Sequence, residues 1–256
     1  MSDPVAFALH ERAAFAALFG GLFDDAAIFP PGNLPLPDAV AAHRTYRDNP
    51  LVGPFVCSLA RLAELDALLD HPLDVAVVIP AGLFELPPLR HVRIVSVERH
   101  ADAVGDSPAV PTYVELPTLP ATARDLAGIG RVKFRTGGLH AAAFPSEAAL
   151  AAAISAAVAA GAPFKCTAGL HRAVRHTGAD GFEHHGFLNV LLATHAALSG
   201  GDGAATLAER DGALLAARLR ALPDAALART RESFRSFGTC SIAEPVTDLH
   251  ALGLAR

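Results

Sequence analysis

The segments RVKFRTGG (131–138) and APFKCTAGLHRAVRH (162–176) decide how this chain is read. They hold its only lysines, Lys133 and Lys165; all the other basic residues, of 21 in total, are arginine. Alternation along an extended chain puts Arg131, Lys133 and Arg135 on one face and Val132 and Phe134 on the other. The same parity separates Lys165 and Thr167 from Phe164 and Cys166 in the second segment. An apolar strand face has to meet covering helices, so both lysines are expected to point into one lumen, near the C-terminal strand ends where barrel enzymes keep their chemistry.

Six further runs rich in Val, Ile and Phe read as buried strands: AAIF (26–29), PFVCS (54–58), DVAVVI (74–79), VRIVSV (92–97), PTYVEL (111–116) and SFGTCS (236–241). Helical patterns over 37–48, 59–70 and 146–160 lie between them, the last with Ser146 as a start signal and Gly161 as a stop. Eight strands alternating with helices in 256 residues predict a parallel sheet closed into a (β/α)8 barrel of the TIM type, residues 1–256 forming one domain. An open doubly wound sheet is the alternative, but it would advertise a nucleotide loop, and neither G-x-G-x-x-G nor G-x-x-x-x-G-K occurs. The connection PAGLFELPPLRH (80–91) has adjacent prolines and no helical pattern, which predicts a degenerate crossover. Residues 4–21 read as an extra helix placed to plug the N-terminal mouth. Residues 200–230 read as a helical insertion between the seventh and eighth strands, a lid or a surface for a homo-oligomer, or a plain elaboration.

A net charge of −5 with scattered arginines leaves no basic stripe for nucleic acid. The start MSDPVAFALHERAAF lacks the features of a signal peptide, and no apolar run approaches the length of a membrane span, so a soluble, cytoplasmic protein is expected. Cys57, Cys166 and Cys240 are odd in number and far apart, as expected of reduced packing residues.

Two ammonium groups held side by side away from water disfavour each other's charge, which predicts a lowered pKa for at least one of them. A neutral amine attacks a carbonyl to give a Schiff base. The alternative is that the lysines bind a carboxylate or phosphate, or neutralise Glu115 in the lumen, with no covalent step. VKFRTGG, a helix and FKCTAGL together resemble the sixth and seventh strands of the deoxyribose-phosphate aldolase family of class I aldolases, with a similar separation between the lysines. The resemblance covers about 40 residues and implies Lys133 as the Schiff-base residue and Lys165 as its activator, with no cofactor. It also implies that the Gly137–Gly138 and Gly169 turns, beside Thr167, cradle an anion. Arg135 departs from the small polar residue of the family pattern, and Glu115 in PTYVELP best fits the family's acidic proton-relay residue.

The loop GLHRAVRHTGADGFEHHG (169–186) concentrates His171, His176, His184 and His185 on the same mouth. One of them, His171 or His185, is expected to move protons. A divalent metal on this histidine set, with Glu183, is the alternative, although H-x4-H and HH match no established zinc spacing. Arg172 and Arg175 read as anion clamps, and the backbone N–H groups of the helix after Gly186 as a further anion site. Asp24, Asp25 and Asn33 lie around the first strand, and Asn33 is expected in its C-terminal loop. Together these residues predict a barrel enzyme of the class I aldolase or lyase type. It would act on a small anionic carbonyl metabolite, with Lys133 as nucleophile and Arg135 and Arg172 as anion grips. A metal-dependent hydrolase or isomerase, or a non-catalytic anion-binding barrel, are the competing readings.

Overall fold

The structure, a computed structural model, describes residues 13–255. Eight parallel strands close into a barrel: β1 (Phe23–Asp25), β2 (Val52–Ser58), β3 (Leu73–Ile79), β4 (Val92–His100), β5 (Thr112–Glu115), β6 (Val132–Arg135), β7 (Phe164–Thr167) and β8 (Phe234–Thr239). Each strand pairs with its neighbours in sequence, and β8 pairs with β1 to close the ring. The chain is therefore an α/β protein with a (β/α)8 barrel of the TIM type. Nine α-helices are described: α1 (Ala13–Phe19), α2 (Leu36–Thr45), α3 (Leu62–Leu68), α4 (Glu147–Ala159), α5 (Phe187–Ser199), α6 (Gly203–Ala208), α7 (Gly212–Ala221), α8 (Asp224–Ser233) and α9 (Ala243–Ala251).

The crossovers after β3 and β4 contain no helix. They pair with each other instead, Gly82–Leu83 lying beside Ala103–Val104 in a small parallel ladder. The double proline of the first crossover, Pro87–Pro88, removes the donors a helix would need there. After β5 there is only the 3₁₀ turn Ala123–Leu126, fixed by reciprocal hydrogen bonds between Thr122 and Asp125. Helix α4 starts as the sequence predicts, with the Ser146 hydroxyl accepting from the Ala149 N–H and Gly161 in the left-handed region at its end. The stretch Ala141–Ala159 is apolar enough to cross a membrane by length and composition, but Phe144–Ser146 interrupts it and Leu150, Ala153, Ile154 and Ala157 are buried in the core.

The first, fourth and last strands depart from the sequence expectation. The first strand is FDD (23–25) rather than AAIF (26–29), whose residues turn away into the cis Pro30–Pro31 bond. The fourth extends past Val97 through Glu98, Arg99 and His100, and the last begins earlier, at Phe234. In each case a charged or polar residue inside the strand is absorbed by the lumen, so hydropathy misplaces the boundary.

Outward-facing rings cover one side of the barrel, with Phe134 and Phe164 at 5.0 Å, Phe164 and Phe234 at 5.1 Å, and Phe23 and Phe237 at 5.2 Å between ring centres. These belong to a core cluster built on β1, β6, β7 and β8 with α1 and α4 to α9. A second cluster joins β2, β3 and β4 to α2 and α3. Helix α1 packs against α8, and the Arg231 guanidinium of α8 donates to the carbonyls of Gly20 and Gly21; residues 4–12 of the expected N-terminal helix lie outside the described residues. The helical insertion expected between β7 and β8 holds three helices, α6 to α8. Asp202 and Asp211 cap α6 and α7, and the buried Asn189 of α5 donates to the carbonyls of Thr206 and Glu209, which pins the insertion to the barrel.

Candidate active site

The in-and-out parity read from the sequence holds. Lys133 and Lys165 sit side by side in the β6–β7 register, both buried, with Val132, Phe134, Phe164 and Cys166 facing the helices. The lumen they enter is acidic. Lys133 Nζ lies 2.8 Å from a Glu115 oxygen and 3.2 Å from Glu98 Oε2. Lys165 Nζ bonds the other oxygen of Glu98 and lies 2.5 Å from Asp24 Oδ2. Ser236 donates to that same Asp24 oxygen at 2.7 Å, and the Tyr113 ring centre is 5.5 Å from Lys165 Nζ. Glu98 thus joins the two lysines, one through each carboxylate oxygen. Gly53 on β2 makes room for this array, because a Cβ there would collide with the Asp24 carboxylate.

For Lys165 the electrostatics run against a lowered pKa. Burial alone pulls Lys165 down, but the attraction and hydrogen bonds of Asp24 and Glu98 outweigh it, so its ammonium is held above the ordinary lysine range. Glu98 is the counterpart: burial pushes it up, yet Lys165 and Lys133 bring it down to about 2. Glu115 is lowered in the same way by Lys133 and Arg135 against its burial. Asp24 is raised, because burial and the charge of Glu98 exceed what Lys165 and Ser236 return.

A cavity of about 560 Å³ opens above this array at the C-terminal mouth, within the range of small-molecule sites. Lys133 and Glu98 line it, and Lys165 does not. Its rim comes from three loops: Phe29, Pro30 and Pro31 after β1, Leu139 and Phe144 after β6, and Phe182 with His184 after β7. Gly137 and Gly169 bring the β6 and β7 turns into contact; a Cβ on Gly137 would come within 2.8 Å of the Gly169 Cα, and Gly169 has φ +77°. Gly138, Thr167 and Gly169 line the cavity, and Gly137 is not among its lining residues.

The other sequence candidates divide. Arg135 reaches the cavity, but its Nε and Nη2 are both 2.8 Å from Glu115 Oε1. Glu115 lines a second cavity of about 470 Å³ that shares Lys133 and Arg135. Arg172 is turned away into a bidentate pair with Asp248 of α9, at 2.9 and 2.8 Å. Arg175 is buried against Glu147 at 2.7 Å and Glu183 at 3.2 Å. Asn33 is exposed, with its amide donating to the Pro31 carbonyl at 3.3 Å. The first N–H groups of α5, expected to hold an anion, donate instead to the carbonyls of Arg172 and Ala173.

Of the histidines, His171 and His184 line the cavity. His171 Nδ1 lies 3.3 Å from Thr239 Oγ1 and 3.4 Å from Glu244; burial and the nearby His184 and His176 lower its pKa against the pull of Glu244. His184 Nε2 meets Asp180 at 3.0 Å and stacks with His176 across a short antiparallel ladder, ring centres 5.1 Å apart. His185 is fully buried and both its nitrogens are engaged, Nε2 with the Pro145 carbonyl at 2.8 Å and Nδ1 with Arg175 at 3.2 Å. That pattern suits a neutral ring with the proton on Nε2 and makes His185 a strut between loops. Among the described residues no group of three or more His, Cys, Asp or Glu is arranged to hold a metal ion.

Glu98 was missed from sequence because its strand appeared to end at Val97, and Asp24 was noted but given no role. The need of two buried lysines for counter-charges was the signal that could have found both. Comparison with family models, with curated proteins and with solved structures finds no match to this chain.

Proposed function

We propose that this barrel is a class I, aldolase-type carbon–carbon lyase in which Lys133 forms a Schiff base with a carbonyl substrate. One observation carries this reading: of two adjacent buried lysines, only Lys133 reaches the cavity, and it does so between two carboxylates that can take and return protons.

In the resting site Lys133 is paired with Glu115 and Glu98. As a carbonyl carbon approaches, one ammonium proton passes to Glu115, and the freed lone pair forms the carbon–nitrogen bond. The carbonyl oxygen collects that proton and a second one from the same nitrogen and leaves as water. Ammonium and carbonyl thus give iminium and water with no net change in protons. The iminium then accepts the electron pair of the bond between the α and β carbons. That bond breaks to an enamine, the β-hydroxyl gives its proton to a carboxylate, and the β carbon leaves as an aldehyde. Proton return to the enamine and addition of water restore Lys133. Lys165 keeps its charge throughout and holds Glu98 ionised beneath the reacting nitrogen.

Borohydride trapping with acetone or acetaldehyde, followed by peptide mapping, tests the reading. A reduced adduct on Lys133 that is absent in Lys133→Arg is the expected result. Failure of every small carbonyl to mark Lys133 overturns it, and the protein is then a ligand-binding barrel or works by other chemistry.

A further inference from the structure

We infer that the substrate of this site is an unphosphorylated carbonyl compound with an aromatic or bulky apolar body. This rests on the Schiff-base reading and adds to it the class of molecule attached to the carbonyl.

The walls of the cavity are the first reason. Above Lys133 and Glu98, the rim is made by Phe29, Pro30, Pro31, Leu139, Phe144 and Phe182. Phe144 is a hub, its ring centre 4.9 Å from Phe182 and 4.7 Å from His184 in an edge-on contact. Leu139 is 73% exposed at this rim. An apolar group entering the mouth would cover Leu139 and lie against the Phe144–Phe182 pair, which is how aromatic walls hold a ring.

The second reason is the state of the cations. A phosphate needs a bidentate arginine, a free lysine or open backbone N–H groups. The side-chain cations near this mouth are each engaged, and so are the first N–H groups of α5. Arg135 is closed on Glu115, Arg172 on Asp248, and Arg175 on Glu147 and Glu183. Lys133 faces two carboxylates, and the N-terminus of α5 is filled by two carbonyls. Glu98 and Asp180 also line the cavity, and Glu115 adjoins it. A phosphate dianion would displace one of these carboxylates or meet them unscreened in a partly dry mouth, which is costly. A neutral ketone or aldehyde with an apolar body meets no such barrier.

The test is competitive borohydride trapping on the full chain, with benzylacetone, dihydroxyacetone phosphate and acetone as probes, read by mass at Lys133. The half-saturating concentration of benzylacetone is expected to be about tenfold lower than that of either other probe, the effect of burying one ring. Phe144→Ala and Phe182→Ala should each raise it by about fivefold, with circular dichroism reporting whether each variant is folded; no rise in either folded variant overturns the inference. Tighter trapping of dihydroxyacetone phosphate overturns the inference but leaves Lys133 as a Schiff-base residue. If no probe marks Lys133, the Schiff-base reading fails, and thermal shift decides the ligand class. A rise in Tm with the unreactive alcohol of benzylacetone supports an apolar ligand. A rise with inorganic phosphate alone, or none with the alcohol, overturns it.

Discussion

Replacing Glu98 with glutamine tests the charge array directly. Glutamine keeps the size and shape, but an amide offers one acceptor oxygen where the carboxylate offers two. Whichever way it turns, one ammonium faces an NH₂ group, donor against donor. Two routes give the magnitude. Breaking one arm of a buried ion pair costs about 3–5 kcal/mol. Linkage agrees: Glu98 titrates at about 2 rather than its ordinary 4.5, and at about 1.4 kcal/mol per pH unit the ionised form contributes about 3 kcal/mol to folding. For a chain of this length, about 3 kcal/mol corresponds to a fall in Tm of about 6–12 °C. The sign follows from the direction of the shift. A carboxyl whose folded pKa is depressed adds its stability above the unfolded pKa and loses it as the pH falls through the folded value. The gap between Glu98→Gln and the parent should therefore be constant from neutral pH to about 5 and narrow at lower pH. Scanning calorimetry across that range reads both effects. A Tm within about 2 °C of the parent at pH 7 would refute the account of Glu98 as the shared counter-ion.

Four further outcomes are expected. Gly53→Ala should cost about 2–3 kcal/mol in urea denaturation, because its methyl collides with the Asp24 carboxylate beneath Lys165; a neutral result means that the lumen can relax around it. Arg172→Ala should cost no more than about 1 kcal/mol and leave trapping at Lys133 unchanged, since its half-exposed guanidinium serves α9 and not the cavity; a loss of trapping would return it to the site. His171, His176 and His185 all have pKa values lowered by burial, so they must gain protons on unfolding, and Tm should fall as the pH drops below about 6.5; His185→Asn should flatten that slope, and an unchanged slope counts against the strut assignment. Burial pushes all three thiols upward, Cys57 to about 12, but only Cys240 is partly exposed and lines the cavity, so a disulfide reagent at pH 8 should label Cys240 first and the other two only on unfolding.

The helix-covered side of the barrel was legible because its strands alternate without ambiguity. VKFR and FKCT each place a lysine between outward-facing residues, and that parity alone put both ammonium groups in one lumen. The same logic failed at β1 and β4 for a physical reason. Apolar runs mark strands whose faces are both dry, but FDD and the VERH end of β4 carry Asp24 and Glu98, charges that their lumen partners make tolerable. Asp24 and Glu98 become strand residues because Lys165 and Lys133 are there. The arginines misled in the opposite direction. Arg172 and Arg175 stand on a loop at the right mouth, and nothing in their spacing reveals that Asp248, some 75 residues on, and Glu147 would claim them. The two lysines were weighed against each other without the carboxylates between them, which hold the charge on Lys165.

The two core clusters give the ion array a mechanical meaning. One cluster grips β1 and β6 to β8 beneath a full helical layer, while the other holds β2 to β4 with only α2 and α3, since the crossovers after β3 and β4 lack helices. Asp24, Lys133 and Lys165 stand on strands of the first half, and Glu98 stands on the second. Glu98 is accordingly the rivet of a split ring, reaching across the lumen to fasten the thinly covered half to the thickly covered one. Native-state hydrogen exchange should find β2 to β4 opening as a unit before the rest, and losing its protection first when that rivet is drawn.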